Sequence, residues 1–221
     1  ASGDAIASTT QVKSGLGTHS IKLDGTGDYL TVPAHADFVF GTDDFTIEAW
    51  IYPTQIASRN IIFANRESGV TTNINWTMYV KIGGELRWDA YNAAMMGSGG
   101  TTISANTWTH VAVTTSSNAM KMFINGVQVQ THTNSYNFSN SAPVRVGADV
   151  SYAGQNEFTG YIDEVRISNN ARYTATFTAF GQGGGTISSP TAFTSDSNTK
   201  LLIHGDGNLT DSAYTPESGK I

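Results

Sequence analysis

The stretch that decides the fold is Phe45-Thr46-Ile47-Glu48-Ala49-Trp50-Ile51, in which apolar residues occupy every odd-numbered position. Such alternation is typical of a β-strand, because successive side chains point to opposite faces of a sheet. The odd-numbered row is suited to a core. The even-numbered row carries the carboxylate of Glu48 and the indole of Trp50, which favours a second face that lines a concave, partly solvated surface.

The same alternation recurs on both sides of this stretch. It predicts further strands at residues 20–23, 29–32, 60–64, 76–80, 86–88, 107–113, 120–124, 127–129, 144–147 and 160–167. The dipeptide Asn125-Gly126, between alternating apolar residues, indicates a tight hairpin. No stretch of about 12 residues keeps the spacing of an amphipathic helix, so the sequence predicts an all-β domain.

Length and composition limit the functions that the chain can have. Its 221 residues suit one all-β domain. The formal net charge of -6 comes without a basic stripe, which argues against a nucleic-acid backbone as partner. The chain has no cysteine, which excludes disulfides and thiol chemistry, and it has no apolar run long enough to span a membrane. A low charged fraction of 14% with abundant glycine predicts an extracellular, cell-surface or virion location.

Five motifs in order carry a resemblance to a known family. They lie at residues 21–30, 45–51, 108–113, 123–126 and 160–167. Over residues 20–177 the series resembles the laminin-G-like or concanavalin A-like jelly-roll family. The resemblance implies a two-sheet antiparallel sandwich that binds glycans or proteins, often on secreted bacterial or phage virion proteins, and often with a structural calcium.

The chain is predicted to contain a jelly-roll domain at residues 1–180, a glycine-rich linker at 181–190 and a strand-like tail at 191–221. The tail is similar to the first strand of a domain of this family, with Leu201, Ile203 and Leu209 as its apolar contacts. Three explanations are open: one period of a tandem array, donation of the strand to a neighbouring copy, or folding back onto the same domain. All three place the tail beside the strand at 160–167.

A candidate metal site centres on Asp163, which interrupts an otherwise apolar strand. A bare buried carboxylate would cost several kcal/mol unless it were paired or bound to a metal. The resemblance implies a calcium site here, and the matching oxygen donors are Asp24, Asp28 and Asp206. The alternative is that Asp163 caps a turn or pairs with a nearby arginine or lysine.

A candidate ligand site follows from the even-numbered row of the first stretch. Trp50 and Phe123 are suited to stacking on a sugar ring, with Glu48, Asn92 and Asn125 as hydrogen-bonding groups. The alternative is a second small core under the loop at 89–106. The remaining tryptophans, Trp76, Trp88 and Trp108, are predicted to lie in the core.

Catalysis is not expected, because glycoside hydrolysis needs a pair of carboxylates and Glu48 stands alone. Asp163 and Glu164 are adjacent and should point to opposite faces of their strand. The primary interpretation is a structural or adhesive module of an extracellular filament, repetitive surface protein or phage appendage, which joins neighbouring copies head to tail through its C-terminal strand. The alternative is a calcium-dependent carbohydrate-binding module.

Overall fold

A computed structural model describes residues 1–66, 75–90, 93–134, 136–149, 156–182, 192–206 and 209. Within these ranges the chain forms 14 β-strands and one short 3-10 helix, Ala36–Phe38, in agreement with the all-β prediction. No helix within them has the length and apolarity to cross a membrane.

The strands form two antiparallel sheets and are numbered in chain order. The eight-stranded sheet contains, in spatial order, β1 (Ile6–Ser8), β2 (Ser20–Asp24), β13 (Thr159–Ser168), β4 (Phe45–Pro53), β9 (Thr109–Ser116), β10 (Ala119–Ile124) and β11 (Val127–Thr133), with β14 (Thr199–Ile203) paired to β13. The six-stranded sheet contains β3 (Leu30–Val32), β12 (Val144–Val146), β5 (Asn60–Asn65), β6 (Trp76–Val80), β7 (Glu85–Ala90) and β8 (Ala93–Thr102). This is the predicted two-sheet sandwich.

The main core lies between the sheets, and β4 is at the centre of the larger one. Its odd-numbered residues Phe45, Ile47, Ala49 and Ile51 are fully buried there. From the opposite sheet, Trp76 and Trp88 lie in this core, as predicted, and stack with ring centroids 5.1 Å apart. Trp108 instead packs against a smaller cluster on the other side of the large sheet.

The hairpin between β10 and β11 turns at Asn125 and Gly126, with positive φ angles of 50° and 76°. A turn of this kind needs the left-handed region at both central residues, which asparagine and glycine tolerate best. At Gly126 a Cβ would also collide with the carbonyl of Phe177. The hairpin therefore positions the segment that follows β13.

The tail strand β14 pairs with β13 of its own chain, the neighbour expected for it. Leu201 lies opposite Ile167 and Ile203 opposite Val165. Both tail side chains lie in the main core, and Leu209 is partly buried against it. Most of the predicted linker lies outside the described residues.

Candidate functional site

The outer face of the eight-stranded sheet is covered, and the prediction that it forms an open surface is wrong. Trp50, Glu48 and Phe123 are each at most 1% exposed. The segment after β13 lies over them: the Trp50 indole donates a hydrogen bond to the Phe180 carbonyl at 2.9 Å, and the Phe123 and Phe177 rings are 5.3 Å apart.

A second small core does lie on this face, but the covering segment, residues 171–182, forms it; residues 93–102 of the predicted loop at 89–106 are strand β8 of the other sheet. Leu16, Trp50 and Ala179 are the buried members of this small core. Burial of these apolar side chains stabilises the packing of the covering segment on the sheet, because each large side chain removed from water contributes roughly 1.5–3 kcal/mol. Trp50 and Phe123 are therefore packing residues and do not line an accessible surface.

Glu48 is the centre of a buried ionic network. Its Oε1 accepts from Arg166 Nε at 2.8 Å, and its Oε2 accepts from the Tyr173 hydroxyl at 2.8 Å and lies 3.0 Å from His110 Nε2. Burial alone would raise the pKa of Glu48, but the hydrogen bond from His110 and the charges of Arg166 and His110 lower it below its usual value. Burial and the charge of Glu48 raise the pKa of Tyr173, which keeps the phenol neutral.

The asparagines predicted to bind ligand do not join this network. Asn125 is a turn residue whose Oδ1 accepts from the backbone N–H of His110 at 2.9 Å, and whose own N–H donates to the His110 carbonyl at 2.8 Å. Its side chain therefore fixes the hairpin. Asn92 lies outside the described residues.

Asp163 and Glu164 lie at a bulge in β13, where the pairing with β4 shifts and Glu164 adopts a φ of 51°. Both carboxylates contact the tail: Asp163 Oδ1 accepts from the N–H of Gly205 at 3.1 Å, and Glu164 Oε1 lies 2.6 Å from His204 Nδ1. The sequence predicts that these adjacent carboxylates point to opposite faces of their strand, but both reach the tail here, because a bulge interrupts the two-residue period. Burial raises the pKa of Asp163 to about 7.

The four predicted calcium ligands separate into two places. Asp206 lies at the tail joint with Asp163, where its Oδ1 accepts from the backbone N–H groups of Thr18 at 2.6 Å and His19 at 3.1 Å. Asp24 and Asp28 lie elsewhere. The prediction that all four form one site is therefore wrong.

Asp24 and Asp28 form an acidic cluster with Asp4, and their ligand atoms all lie within 4.8 Å of one another. Asp28, which is 2% exposed, accepts from the N–H of Asp4 at 2.8 Å and of Asp24 at 2.9 Å. A Cβ at Gly3 would collide with Asp28, so glycine is needed for this close approach. An all-oxygen donor set suits a hard cation such as calcium. Sequence reasoning missed Asp4, because the pairing of β1 with β2 and the bridge between Ser2 and Tyr29 bring it there.

The outer face of the six-stranded sheet carries a second set of paired polar side chains, centred on alternate positions of β7. The Tyr79 hydroxyl donates to Asp89 at 2.8 Å, and Arg87 donates to Glu85 at 3.1 Å. Burial and the Asp89 carboxylate raise the pKa of Tyr79 to about 12. These groups largely satisfy one another, which indicates a role in stabilising the sheet.

A cleft of about 290 Å³ opens beside the covering segment. It is named here the Arg166 cleft, and it is lined by Arg166, Tyr173, Thr178, Phe180, Ala192, Phe193 and Thr194. Arg166, at its floor, stacks on Phe193 with its guanidinium carbon 3.9 Å from the ring centroid. The cleft therefore combines aromatic walls, hydroxyl groups and a fixed hydrogen-bond donor. Alternation could not predict it, because most of its lining comes from irregular segments.

A larger cleft, of about 430 Å³, lies beside β3, the 3-10 helix and the start of β14. Its lining residues are Val32, Pro33, Ala34, His35, Asp37, Phe38 and Lys200. Most of these are apolar, and the His35 and Asp37 side chains pair with each other at 3.1 Å. Because its lining is the more apolar of the two, this cleft suits a hydrophilic ligand less well than the Arg166 cleft does.

Several solved structures share this fold at low sequence identity. Domain 4 of the extracellular arabinanase AbnA from Geobacillus stearothermophilus, solved with arabinotriose, is 20% identical over 76% of this chain and 77% of its own, with a TM-score of 0.57. A CBM40 module of a Ruminococcus gnavus sialidase bound to sialyllactose is 12% identical over 70% and 91%, with a TM-score of 0.56. A pentraxin from Limulus polyphemus is 17% identical over 86% and 93%, with a TM-score of 0.53.

No curated protein matches the sequence. The family assignment comes from residues 24–176, which match the family model described as the concanavalin A-like lectin/glucanases superfamily. This range runs from the end of β2 through β13 and so includes most of both sheets. The chain therefore belongs to the concanavalin A-like lectin/glucanases superfamily.

Proposed function

We propose that the chain is a non-catalytic carbohydrate-binding module and that its ligand occupies the Arg166 cleft. The observation that carries the proposal is the convergence of aromatic rings with free polar groups in one cleft. Sugar rings have apolar faces that stack on aromatic side chains, and their hydroxyl groups need donors and acceptors at the edges. Phe180 supplies an accessible ring, and Arg166, Thr178 and Thr194 supply the polar groups.

The relatives support this function over head-to-tail assembly. Domain 4 of the arabinanase was solved with arabinotriose, and the sialidase module was solved with sialyllactose. Both are carbohydrate complexes of proteins with this fold. The first belongs to an extracellular enzyme, and we propose the same location for this module.

A glycosidase is less well supported. Glu48 is fully buried and forms an ion pair with Arg166 at 2.6 Å, so it is not available to transfer a proton to a sugar. The depressed pKa of Glu48 also makes it a poor general acid. We therefore expect the chain to retain a glycan without cleaving it.

The acidic cluster of Asp4, Asp24 and Asp28 is proposed as a structural calcium site. A bound cation would join the N-terminal segment to the turn after β2. Calcium should raise the thermal midpoint of unfolding as its concentration passes the dissociation constant, because it binds only the folded state. An Asp4→Asn variant should lose most of this shift, whereas Asp43→Asn, at an exposed position outside the cluster, should keep it. Equal shifts in both variants would contradict the site.

Glycan binding is tested by screening the chain against an array of oligosaccharides and measuring each hit by calorimetry. Phe180→Ala should weaken binding at least tenfold, because stacking on a ring contributes on the order of 1 kcal/mol or more beyond its area. Tyr136→Ala is the matched control, since Tyr136 is also a partly buried aromatic but lies outside the cleft. Equal loss in the two variants, or no binding to any glycan, would contradict the proposal.

A further inference from the structure

The floor of the Arg166 cleft carries a cation whose charge is already balanced. Arg166 is 7% exposed, and its Nε and Nη2 lie 2.8 Å and 2.6 Å from Glu48 Oε1. The same Nη2 donates to the Tyr173 hydroxyl at 3.1 Å. A ligand therefore meets a guanidinium that is paired with a carboxylate, and a second carboxylate would have to compete with Glu48. The net charge of -6 on the chain further disfavours an anion.

Only one end of this guanidinium is left for a ligand. Arg166 Nη1 makes no hydrogen bond to any residue that the structure describes, while Nε and Nη2 are both occupied. An N–H group donates and cannot accept. The floor therefore selects an acceptor oxygen. A sugar hydroxyl placed there would accept through its oxygen and donate its hydrogen to a threonine hydroxyl of the cleft or to solvent.

The walls next to this donor are apolar. The rings of Phe180 and Phe193 lie with centroids 5.9 Å apart, and Ala192 also lines the cleft. The threonines at the rim, Thr178 and Thr194, are exposed and make no hydrogen bond to described residues. A group that fits this arrangement has a carbonyl oxygen, a small apolar substituent and an N–H that can reach a hydroxyl.

We infer that the Arg166 cleft recognises the acetamido group of an N-acetylated amino sugar. The carbonyl oxygen accepts from Arg166 Nη1, the methyl group packs against Phe180 and Phe193, and the amide N–H donates to the hydroxyl of Thr178. Every polar atom of the group then has a partner, and its methyl group covers apolar lining that a hydroxyl at the same position would leave in contact with water. This inference rests on the proposed function and specifies its ligand class.

The test is titration of the whole chain with glucose and with three monosaccharides that each differ from glucose at one group, followed by two-dimensional NMR. N-acetylglucosamine should shift the backbone signals of Thr178 and Phe180, and glucose should bind about tenfold more weakly, since it lacks the carbonyl acceptor. Glucosamine should bind no better than glucose. Glucuronic acid should also bind no better, because Glu48 already balances the charge of Arg166. N-acetylgalactosamine, the other common acetamido sugar, is then titrated in the same way.

Substitutions identify the contacts. Thr178→Val should weaken binding of N-acetylglucosamine severalfold and leave binding of glucose unchanged, because only the former uses the Thr178 hydroxyl. Thr174→Val is the matched control, since Thr174 is an exposed threonine of the same segment outside the cleft. Arg166→Lys tests the donor; because Arg166 also holds Glu48, its folding is checked first by the dispersion of the NMR spectrum.

The possible results distinguish the acetamido inference from the proposed carbohydrate binding. Equal binding of glucose and N-acetylglucosamine in the cleft would overturn the acetamido inference and leave carbohydrate binding intact. Tighter binding of glucuronic acid would show that the floor acts as an anion site, which also overturns it. Shifts confined to residues outside the cleft would overturn the assignment of the site, and binding to no sugar of any kind would overturn the proposed function as well.

Discussion

At residue 48 the alternation of β4 places a carboxylate on the outer face of the large sheet, and the covering segment then buries it completely. An ionised group in such a position needs partners on several sides, because burial of a lone charge is strongly unfavourable. Arg166, His110 and Tyr173 provide them. Glu48 thus acts on the cleft through Arg166, which it holds in place.

Replacing Glu48 by glutamine should lower the free energy of unfolding by about 3–5 kcal/mol, because it leaves Arg166 as an uncompensated buried charge. Denaturation with urea measures the change. Glu85→Gln is the control: Glu85 also pairs with an arginine, but its side chain is 23% exposed, and we expect a loss of about 1 kcal/mol or less. Similar losses at the two positions would contradict the importance of the buried network.

Asp163 makes stability depend on pH. Its pKa is about 7 in the folded chain but close to 4 in an unfolded one, so the folded state holds the proton more tightly. The free energy of unfolding should therefore fall as pH rises from about 4 to about 7. The hydrogen bond from His204 to Glu164 raises the pKa of His204, and that contribution is likewise lost as pH rises through the raised value.

Urea denaturation at several values between about pH 5 and pH 8 tests this dependence, because Glu48 stays ionised throughout that window. Asp163→Asn should flatten the slope, since asparagine does not titrate, and the slope that remains should come mainly from His204. Asp43→Asn, at an exposed position, should keep the full slope. An unchanged slope in Asp163→Asn would contradict the assignment.

Among the elements, most strands could be predicted, because their apolar residues alternate over a few positions. Strand β8 (Ala93–Thr102) is an exception, because its glycines interrupt that alternation and the sequence there indicates a loop. The alternation from Phe45 to Ile51 predicted β4 and its core face, and Asn125-Gly126 predicted the hairpin. The covering segment could not be predicted, since residues 171–182 form neither strand nor helix and are held by contacts distant in sequence, such as that from Trp50 to Phe180. The bulge in β13 could not be predicted either, because it shifts the pairing with β4 between Asp163 and Arg166 without altering the apolar pattern of the sequence.

A further prediction concerns the strand β14. Leu201 is fully buried in the core, so Leu201→Ala should lower the free energy of unfolding by about 2–5 kcal/mol, the usual cost of such a cavity. Lys200→Ala, one position earlier and partly exposed, should change it by about 0.5 kcal/mol or less. A negligible effect at Leu201 would mean that β14 does not occupy this position in solution.

At the scale of the whole molecule, the C-terminal strand completes the eight-stranded sheet of its own chain. Head-to-tail assembly through Leu201, Ile203 and Leu209 stays a prediction, and the strand would have to leave this position to take part in it. We expect light scattering to give the mass of a monomer, 23.5 kDa, at every concentration. A mass that rises with concentration would favour strand exchange, and its reversal by a calcium chelator would place the cation at the contact between copies.

The covering segment also separates the parts of the molecule that keep it folded from those that would meet a ligand. Six of the seven residues lining the Arg166 cleft come from irregular stretches at 173–180 and 192–194, whereas the buried rows of β4, β9 and β10 supply none. New specificities could therefore be selected from libraries randomised at Thr178, Phe180 and Thr194 alone. The sandwich underneath would serve as a fixed scaffold, much as a framework carries variable loops.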